Sequence, residues 1–119
     1  SIMTAKLVLL KSGEDIIADV TEMVVGEEEE RRIVGYFFDK PCIIKLREGE
    51  ESPDQKSAYK ISMFPWMPLS ADPKIPVPAD WVVTMVEPKD QLRKMYLEDV
   101  VGNGKDSEDS STDDKSDSD

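Results

Sequence analysis

The segment Lys6–Met23 carries two apolar runs that flank a short polar turn. Leu7–Leu10 is continuously apolar, whereas Asp15–Val25 alternates loosely between apolar and polar positions. Two such runs joined by a few polar residues that include a glycine are typical of an antiparallel β-hairpin. Gly13 lies in the turn, where a backbone with positive φ costs glycine little. The pattern predicts that this hairpin nucleates a small sheet, with its first strand covered on both faces.

Three further runs are rich in β-branched and aromatic residues and predict three more strands. They are Ile33–Leu46, Ser57–Phe64 and Trp81–Val86. The first of these runs contains Lys40-Pro41 near its middle, and proline removes a backbone donor. We therefore expect a bend or a bulge at that point. The chain predicts five strands in all, of which the third is long and sharply bent.

The segment Pro65–Asp80 contains five prolines, which exclude a regular central strand or helix there. Apolar residues alternate with these prolines, so we expect an ordered and rigid excursion. After the fifth strand, Pro88 suits the first position of a helix over Pro88–Val101. The apolar face of that helix, which we expect to dock on the sheet, consists of Leu92, Met95 and Tyr96.

Charge and composition narrow the possible functions. The chain has a formal net charge of −11, and residues 102–119 contribute −5 of it through seven acids and two lysines. This tail contains no large apolar residue and is expected to be disordered. The remaining residues carry −6, which argues against non-specific coating of nucleic acid. The single cysteine excludes an intramolecular disulfide and is typical of a reducing compartment, so we expect a cytoplasmic protein.

No catalytic constellation is recognisable in the sequence. The chain has no histidine, the usual general base near neutral pH and the commonest metal ligand. Cys42 lies in the apolar context Pro-Cys-Ile-Ile, which is typical of a buried strand rather than of a nucleophile. Glycine-rich phosphate loops and calcium-loop patterns are missing as well. We therefore expect no enzymatic activity, no cofactor and no metal site, and no apolar stretch is long enough to span a membrane.

The stretch Leu7–Val20, LVLLKSGEDIIADV, is similar to the opening hairpin of Sm-like proteins of the LSm and Hfq type. The fuller pattern includes Gly35–Cys42 (GYFFDKPC) and Phe64–Pro68 (FPWMP), and it resembles a small Sm-like family from marine metagenomes and cyanobacterial tailed phages. The resemblance implies a mainly β fold. We expect a small five-stranded, strongly bent antiparallel Sm-like barrel with a C-terminal helix over residues 4–101, and a disordered acidic tail over residues 102–119.

The chain departs from the family pattern where RNA is contacted. The Asp-x-x-Met-Asn segment of Sm and LSm proteins is absent, and Gly26–Arg32 (GEEEERR) occupies the matching loop. The Ile-Arg-Gly signature of the second Sm motif is missing as well. The resemblance therefore implies the fold, whereas the RNA contacts do not carry over residue by residue.

Two connections are expected to face the pore of an Sm-like ring and to carry any nucleic-acid contact, as the resemblance implies. They are the Gly26–Arg32 turn and the Pro65–Asp80 loop, and the candidate contact residues are Arg31, Arg32, Trp66 and Lys74. Arg31 and Arg32 can instead balance the four preceding glutamates within a solvated turn. Three roles are open to Trp66: stacking on a base, anchoring a neighbouring subunit, or covering the protein's own core.

Two classes of function remain. In the first, the chain forms a homo-oligomeric ring of about five to seven subunits, as the resemblance implies. That ring binds single-stranded RNA or DNA in nucleic-acid processing or regulation in a phage context. In the second, the ring is a structural or adaptor protein whose partners are proteins, which the acidic charge favours. Family resemblance alone favours the first class. A phage protein of either class would act in the cytoplasm of its host cell.

Overall fold

The computed structural model describes residues 5–49 and 59–102, which form an antiparallel β-sheet followed by a helix. The chain divides into two units, Ser1–Pro88 and Lys89–Asp119, and the sheet belongs to the first. Two short 3-10 segments, Glu28–Glu30 and Ala79–Trp81, precede the third and the last strand. The strands of the described part are β1 (Ala5–Leu10), β2 (Asp15–Val25), β3 (Arg32–Glu48), β4 (Tyr59–Pro65), β5 (Lys74–Pro78) and β6 (Val82–Val86).

The sheet order is β4-β3-β2-β1-β6, with β5 paired to β3. β5 pairs with the first half of β3, over Gly35–Asp39, and β4 pairs with the second half, over Cys42–Glu48. Because β2 pairs with both halves of β3, the two short strands share the side of β3 that faces away from β2. Ala79–Trp81 then connects β5 at this edge of the sheet to β6 at the opposite edge.

The predicted opening hairpin is confirmed. β1 and β2 pair in antiparallel register from Ala5 opposite Asp19 to Leu9 opposite Asp15. Gly13 has φ 90° in the turn, and its N–H donates to the carbonyl of Leu10 at 2.9 Å. The left-handed conformation explains why a glycine is needed there.

The predicted bend in the third strand is a β-bulge. Ile17 lies opposite Cys42 and Asp19 lies opposite Asp39, so Ala18 alone faces the two residues Lys40 and Pro41. Lys40 has φ 51°, a conformation that non-glycine residues rarely adopt. An extra residue in one strand bends it and increases its twist. β3 therefore runs without a break through both halves of the predicted segment, although it changes direction at the bulge.

The prediction of five strands is wrong, because Pro65–Asp80 contains a further strand, β5, at the edge of the sheet. The prolines are compatible with an edge strand, although they would not be with a central one. The N–H of Lys40 donates to the carbonyl of Pro73 at 2.8 Å, which fixes the register of β3 against β5. Alternate residues of an antiparallel strand bond to the same neighbour, so Ile75 and Val77 bond to β3. Pro76 and Pro78 occupy the intervening positions, whose missing donor points away from the sheet. The sheet therefore has six strands rather than five, and the last strand begins at Val82 rather than at Trp81.

The core of the sheet consists of fully or almost fully buried apolar side chains. Successive strand residues point to opposite faces, and Ala5 and Val8 of β1 are both buried, as are Ile16 and Ile17 of β2. The prediction that the first strand is covered on both faces is therefore confirmed. The central cluster is made of Val8, Leu10, Ile16, Ala18, Val20, Phe38 and Val77.

The C-terminal helix starts later than the sequence predicts. Helix α1 spans Asp90–Tyr96 and continues as a π-helical segment to Gly102. Lys89 is the N-cap, so Pro88 lies before the helix and does not occupy its first turn as predicted. Leu92 and Tyr96 are buried, in agreement with the predicted apolar face. The predicted disordered tail lies outside the described residues, apart from Gly102.

Candidate nucleic-acid interface

The β2–β3 turn is an exposed, compact loop with charges of both signs. Gly26 has φ 87°, and a Cβ at this position would lie 2.3 Å from the carbonyl oxygen of Glu30. This close approach explains why a glycine begins the turn. The N–H of Arg31 donates to the carbonyl of Glu28, which closes the 3-10 segment. All residues from Gly26 to Arg32 are exposed, so the turn is a solvated tip, as predicted.

The loop between β4 and β5 is tied to the bulge of β3 at both ends. The N–H of Trp66 donates to the carbonyl of Pro41 at 2.9 Å, and Pro73 accepts from Lys40. Between these ends, the N–H of Ser70 donates to the carbonyl of Met67, and the Ser70 hydroxyl accepts from the N–H of Asp72. These bonds hold the chain in one path, which agrees with the predicted ordered excursion.

Trp66 packs on the protein's own core. Its ring centroid lies 6.2 Å from that of Phe38, with the planes tilted by 44°. This separation and tilt are favourable for two aromatic rings. The side chain is partly buried against the central cluster, so this contact favours the role of covering the core among the three roles open to Trp66.

The predicted contact residues fall into two groups along β3. Lys74 lies opposite Asp39, beside the bulge to which Trp66 is tied. Arg32 begins β3, seven residues before Asp39, so roughly 20 Å of strand separates the two positions. Arg31 and Arg32 are thus on one end of the β3–β5 ladder, and Trp66 and Lys74 are on the other. The fold does not bring all four together.

The arginine end of the ladder adjoins an apolar depression of about 360 Å³. Gly35 is one of its lining residues and has no side chain that could fill it. A Cβ on Gly35 would lie 2.7 Å from the carbonyl oxygen of Val77, so β5 can approach only a glycine here. The depression is lined by Met23, Val34, Gly35, Pro76, Val77 and Pro78.

Sequence reasoning overlooked Trp81 as a candidate contact. It ends the Ala79–Trp81 segment, which follows the depression residue Pro78 and contacts β3. Its side chain is 43% exposed, whereas Trp66 is partly buried against the core. The sequence pattern places Trp81 at the start of the last strand, whereas in the structure it ends the 3-10 segment before that strand. No signal in the sequence separates the two tryptophans, because their exposure depends on the pairing of β5 with β3.

Comparison of the chain with known protein families gives a match over most of the sheet and the helix. The Sm-like domain matches residues 7–97, which is most of the chain. The chain belongs to the Sm-like family. Sm-like proteins are typically non-enzymatic. No curated protein of comparable sequence was found.

The described part of this Sm-like protein offers little reactive chemistry. Cys42 is buried, and burial raises the pKa of its thiol, which keeps it protonated and unreactive. Within residues 5–49 and 59–102, no group of three acidic or cysteine side chains is placed to hold a metal ion. No helix in that part of the chain is long and apolar enough to cross a membrane.

Proposed function

We propose that this Sm-like protein assembles as a homo-oligomeric ring and binds single-stranded RNA or DNA. The observation that carries the proposal is the apolar depression near the β2–β3 turn, whose lining residue Gly35 follows Arg32 by three residues and Arg31 by four. Bases have flat apolar faces that suit such a surface, and guanidinium groups bind phosphates. Met23, Pro76 and Pro78 offer the contact area, while Arg31 precedes β3 and Arg32 is its first residue.

The acidic residues of the turn set a limit on this binding. Glu27–Glu30 precede the arginines, so the turn as a whole carries more negative than positive charge. Only Arg31 and Arg32 are expected to contact phosphates there, and the affinity of one subunit is expected to be modest. Trp66 and Lys74, near the bulge, are proposed as a separate contact rather than as part of the same subsite.

Assembly is proposed to use the outer edge of β4. The N–H of Trp66 donates to Pro41 of β3, and alternate residues of an antiparallel strand bond to the same side. The β4 residues in step with Trp66 therefore bond to β3, and the others point their backbone groups outward. The outward residues that have an N–H donor are Tyr59, Ile61 and Met63.

Prolines occupy most other outward positions along the same edge. Pro65 in β4, and Pro76 and Pro78 in β5, have no donor to offer a further strand. In β5 only Lys74 retains one. Pairing with a second copy is therefore confined mainly to Tyr59–Met63. We propose that this edge pairs with β6 of the second copy, since β6 lies at the other edge of the sheet. Head-to-tail contacts form a ring when the rotation between neighbouring copies closes, and the family resemblance implies a ring of about five to seven subunits.

The alternative of a protein adaptor is favoured by one observation, the exposed apolar side chains of the β3–β4 hairpin. Leu46 is 60% exposed and Tyr59 is 64% exposed. Large apolar residues that remain in contact with water often mark protein interfaces. A ring that uses the edge of β4 would shield part of this surface, so a second copy is the partner we propose for it.

The finer features of the family resemblance belong to the same proposal. Only the three residues Ala79–Trp81 separate β5 from β6, a connection that suits closure of the bent sheet into an Sm-like barrel. The resemblance to Sm-like proteins of marine metagenomes and cyanobacterial phages suggests a role in nucleic-acid processing or regulation during infection of a host cell.

Fluorescence anisotropy with short single-stranded RNA and DNA across a salt series tests the nucleic-acid proposal. Replacing Arg31 and Arg32 with alanine removes two phosphate contacts and should reduce the log–log salt slope by about 1.4. A matched control replaces with alanine the exposed N-cap residue Lys89 and the exposed helix residue Lys94, and it should leave the slope unchanged. Equal affinity of the arginine variant and the wild type would exclude this turn as the site. Light scattering at micromolar concentration tests assembly, and a monomeric mass would refute the ring.

A further inference from the structure

The two faces of the β3–β4 hairpin differ in chemistry. Directly opposed residues of an antiparallel pair share a face, and successive residues alternate between faces. One face holds Ile44 opposite Met63 and Leu46 opposite Ile61, and it is apolar. The other face, which we call the cationic hairpin face, is made of Lys45, Arg47, Lys60, Ser62 and Phe64 beside Ile43.

The cationic hairpin face carries three exposed positive charges in an acidic protein. Lys45 and Arg47 lie on β3, and Lys60 of β4 lies directly opposite Arg47. The paired segments Cys42–Glu48 and Tyr59–Pro65 contain one carboxylate, that of Glu48, which lies opposite Tyr59 on the other face. Like charges placed directly opposite one another destabilise a strand pair. A bound anion would remove that repulsion. A concentration of cations is also unusual in a chain whose net charge is −11.

An exposed aromatic side chain lies on the same face. Phe64 is 52% exposed and is four residues from Lys60 along β4, a distance of about 13 Å. Lys45 and Arg47 are about 7 Å apart along β3. A flat strand surface that combines an aromatic ring with a row of cations is how many proteins hold single-stranded nucleic acid, by stacking on bases and neutralising phosphates.

We propose that the cationic hairpin face is a second binding site for single-stranded nucleic acid. Phe64 stacks on a base, while Lys45, Arg47 and Lys60 contact phosphates. An acidic protein segment could also bind the cations, but it has no base to stack on the exposed ring of Phe64. The inference rests on the proposed nucleic-acid function, although the site itself is distinct from the β2–β3 turn. Arg47 is fifteen residues from Arg32 along β3, beyond the bulge.

Four versions of the full chain test the site, each with labelled single-stranded RNA and DNA between 50 and 200 mM salt. The first is the wild type, and the second carries Lys45→Gln, Arg47→Gln and Lys60→Gln. The third is Phe64→Leu, which keeps an apolar side chain without a ring. The control carries Lys11→Gln, Lys89→Gln and Lys94→Gln, which make the same charge change at exposed positions on other elements.

The variant with the three hairpin substitutions loses three phosphate contacts, so the slope of log affinity against log salt should become shallower by about 2. Between 50 and 200 mM salt, the affinity of the wild type should therefore fall about 20-fold more than that of this variant. Phe64→Leu should weaken binding about fivefold or more without changing the slope, because stacking does not depend on salt. The control should retain the wild-type slope. The hairpin variant should melt no lower than the wild type, since Lys60→Gln removes a like-charge contact.

The outcomes separate this inference from the proposed function. Wild-type binding that survives all three hairpin substitutions with an unchanged slope would overturn the second site and leave the turn site standing. Failure of the wild type to bind any oligonucleotide would overturn both. A fifth measurement uses polyglutamate as a competitor. Two results together would show that the face recognises acidic polymers in general and that the nucleic-acid assignment is wrong. Polyglutamate would bind the wild type as tightly as the oligonucleotides do, and Phe64→Leu would bind polyglutamate and the oligonucleotides with wild-type affinity.

Discussion

Replacing Ile61 with proline is expected to disrupt the ring while leaving the fold of the subunit intact. Ile61 is the central one of the three outward-pointing donors of β4, between Tyr59 and Met63. Its backbone groups do not bond to β3, so the substitution removes no hydrogen bond within the subunit. Proline is tolerated at such edge positions. Pro65, in the same strand and in step with Ile61, is an example in the native sequence.

The magnitude follows from the number of interfaces. One lost hydrogen bond weakens each contact by about 0.5–1.5 kcal/mol. In a ring of about five to seven contacts the losses add to about 3–10 kcal/mol, before any clash of the proline ring with the facing strand. Sedimentation velocity at micromolar concentration should therefore show smaller species for Ile61→Pro, together with the circular dichroism spectrum of the wild type.

Ile61→Ala is the matched control, because it removes the same side chain and keeps the donor. It should assemble more completely than Ile61→Pro if backbone pairing holds the copies together. If Ile61→Pro has the wild-type mass, β4 is not the assembling edge. If Ile61→Ala dissociates as fully as the proline variant, the side chain on the apolar hairpin face holds the copies together rather than the strand edge.

Three further predictions concern the fold and its charges. Gly35→Ala should destabilise the protein by about 1–3 kcal/mol and lower its melting temperature by roughly 10 °C, because the new Cβ would lie 2.7 Å from the carbonyl oxygen of Val77. Calorimetry of this variant, with Thr21→Ala as the control, measures the effect, and an unchanged melting temperature would contradict the close packing. Burial raises the pKa of Cys42, so labelling of this thiol should need a higher pH than labelling of a free thiol, and labelling at the rate of a free thiol would refute this. The free energy of unfolding should also fall as the pH rises past the ordinary thiol pKa, because the thiol ionises at a lower pH in the unfolded chain than in the folded one. Truncation after Val101 removes a charge of −5 within residues 102–119 and should tighten oligonucleotide binding at low salt but less at high salt; equal affinities at low salt would leave the tail a solubilising role.

Local patterns were sufficient where one residue decides the backbone. The turn at Gly13 and the bulge at Lys40-Pro41 both follow from the conformational limits of glycine and proline. The sequence did not predict β5, because a proline disrupts a strand only where its missing N–H would have bonded to the neighbouring strand. Pro76 and Pro78 both face away from β3, and that depends on register with a strand some forty residues earlier. Whether a proline faces toward or away from the neighbouring strand therefore depends on the strand pairing, and the segment's own sequence does not determine it.

The same reasoning explains which site residues the sequence could identify. Arg31 and Arg32 were predictable as an exposed pair because four glutamates keep the turn in water. In the sequence Lys45 and Arg47 are two scattered cations, whereas the register places Lys60 opposite Arg47 on the same face. Trp66 is the most conspicuous residue of its loop, yet it contacts Phe38. Exposure of an aromatic residue, and convergence of charges from two strands, both require the pairing of strands to be known.

The proposed ring and the cationic hairpin face constrain each other. Edge pairing through Tyr59–Met63 uses backbone groups in the plane of the sheet, so it leaves Lys60 and Phe64 on a face that stays open. Each copy in a ring then presents one such face, and a strand held by one copy meets the next at a high effective concentration. Modest sites can therefore bind long single strands tightly only when the copies are joined. A chain that cannot assemble would retain each site but lose this gain, so Ile61→Pro should weaken the binding of long oligonucleotides far more than that of short ones.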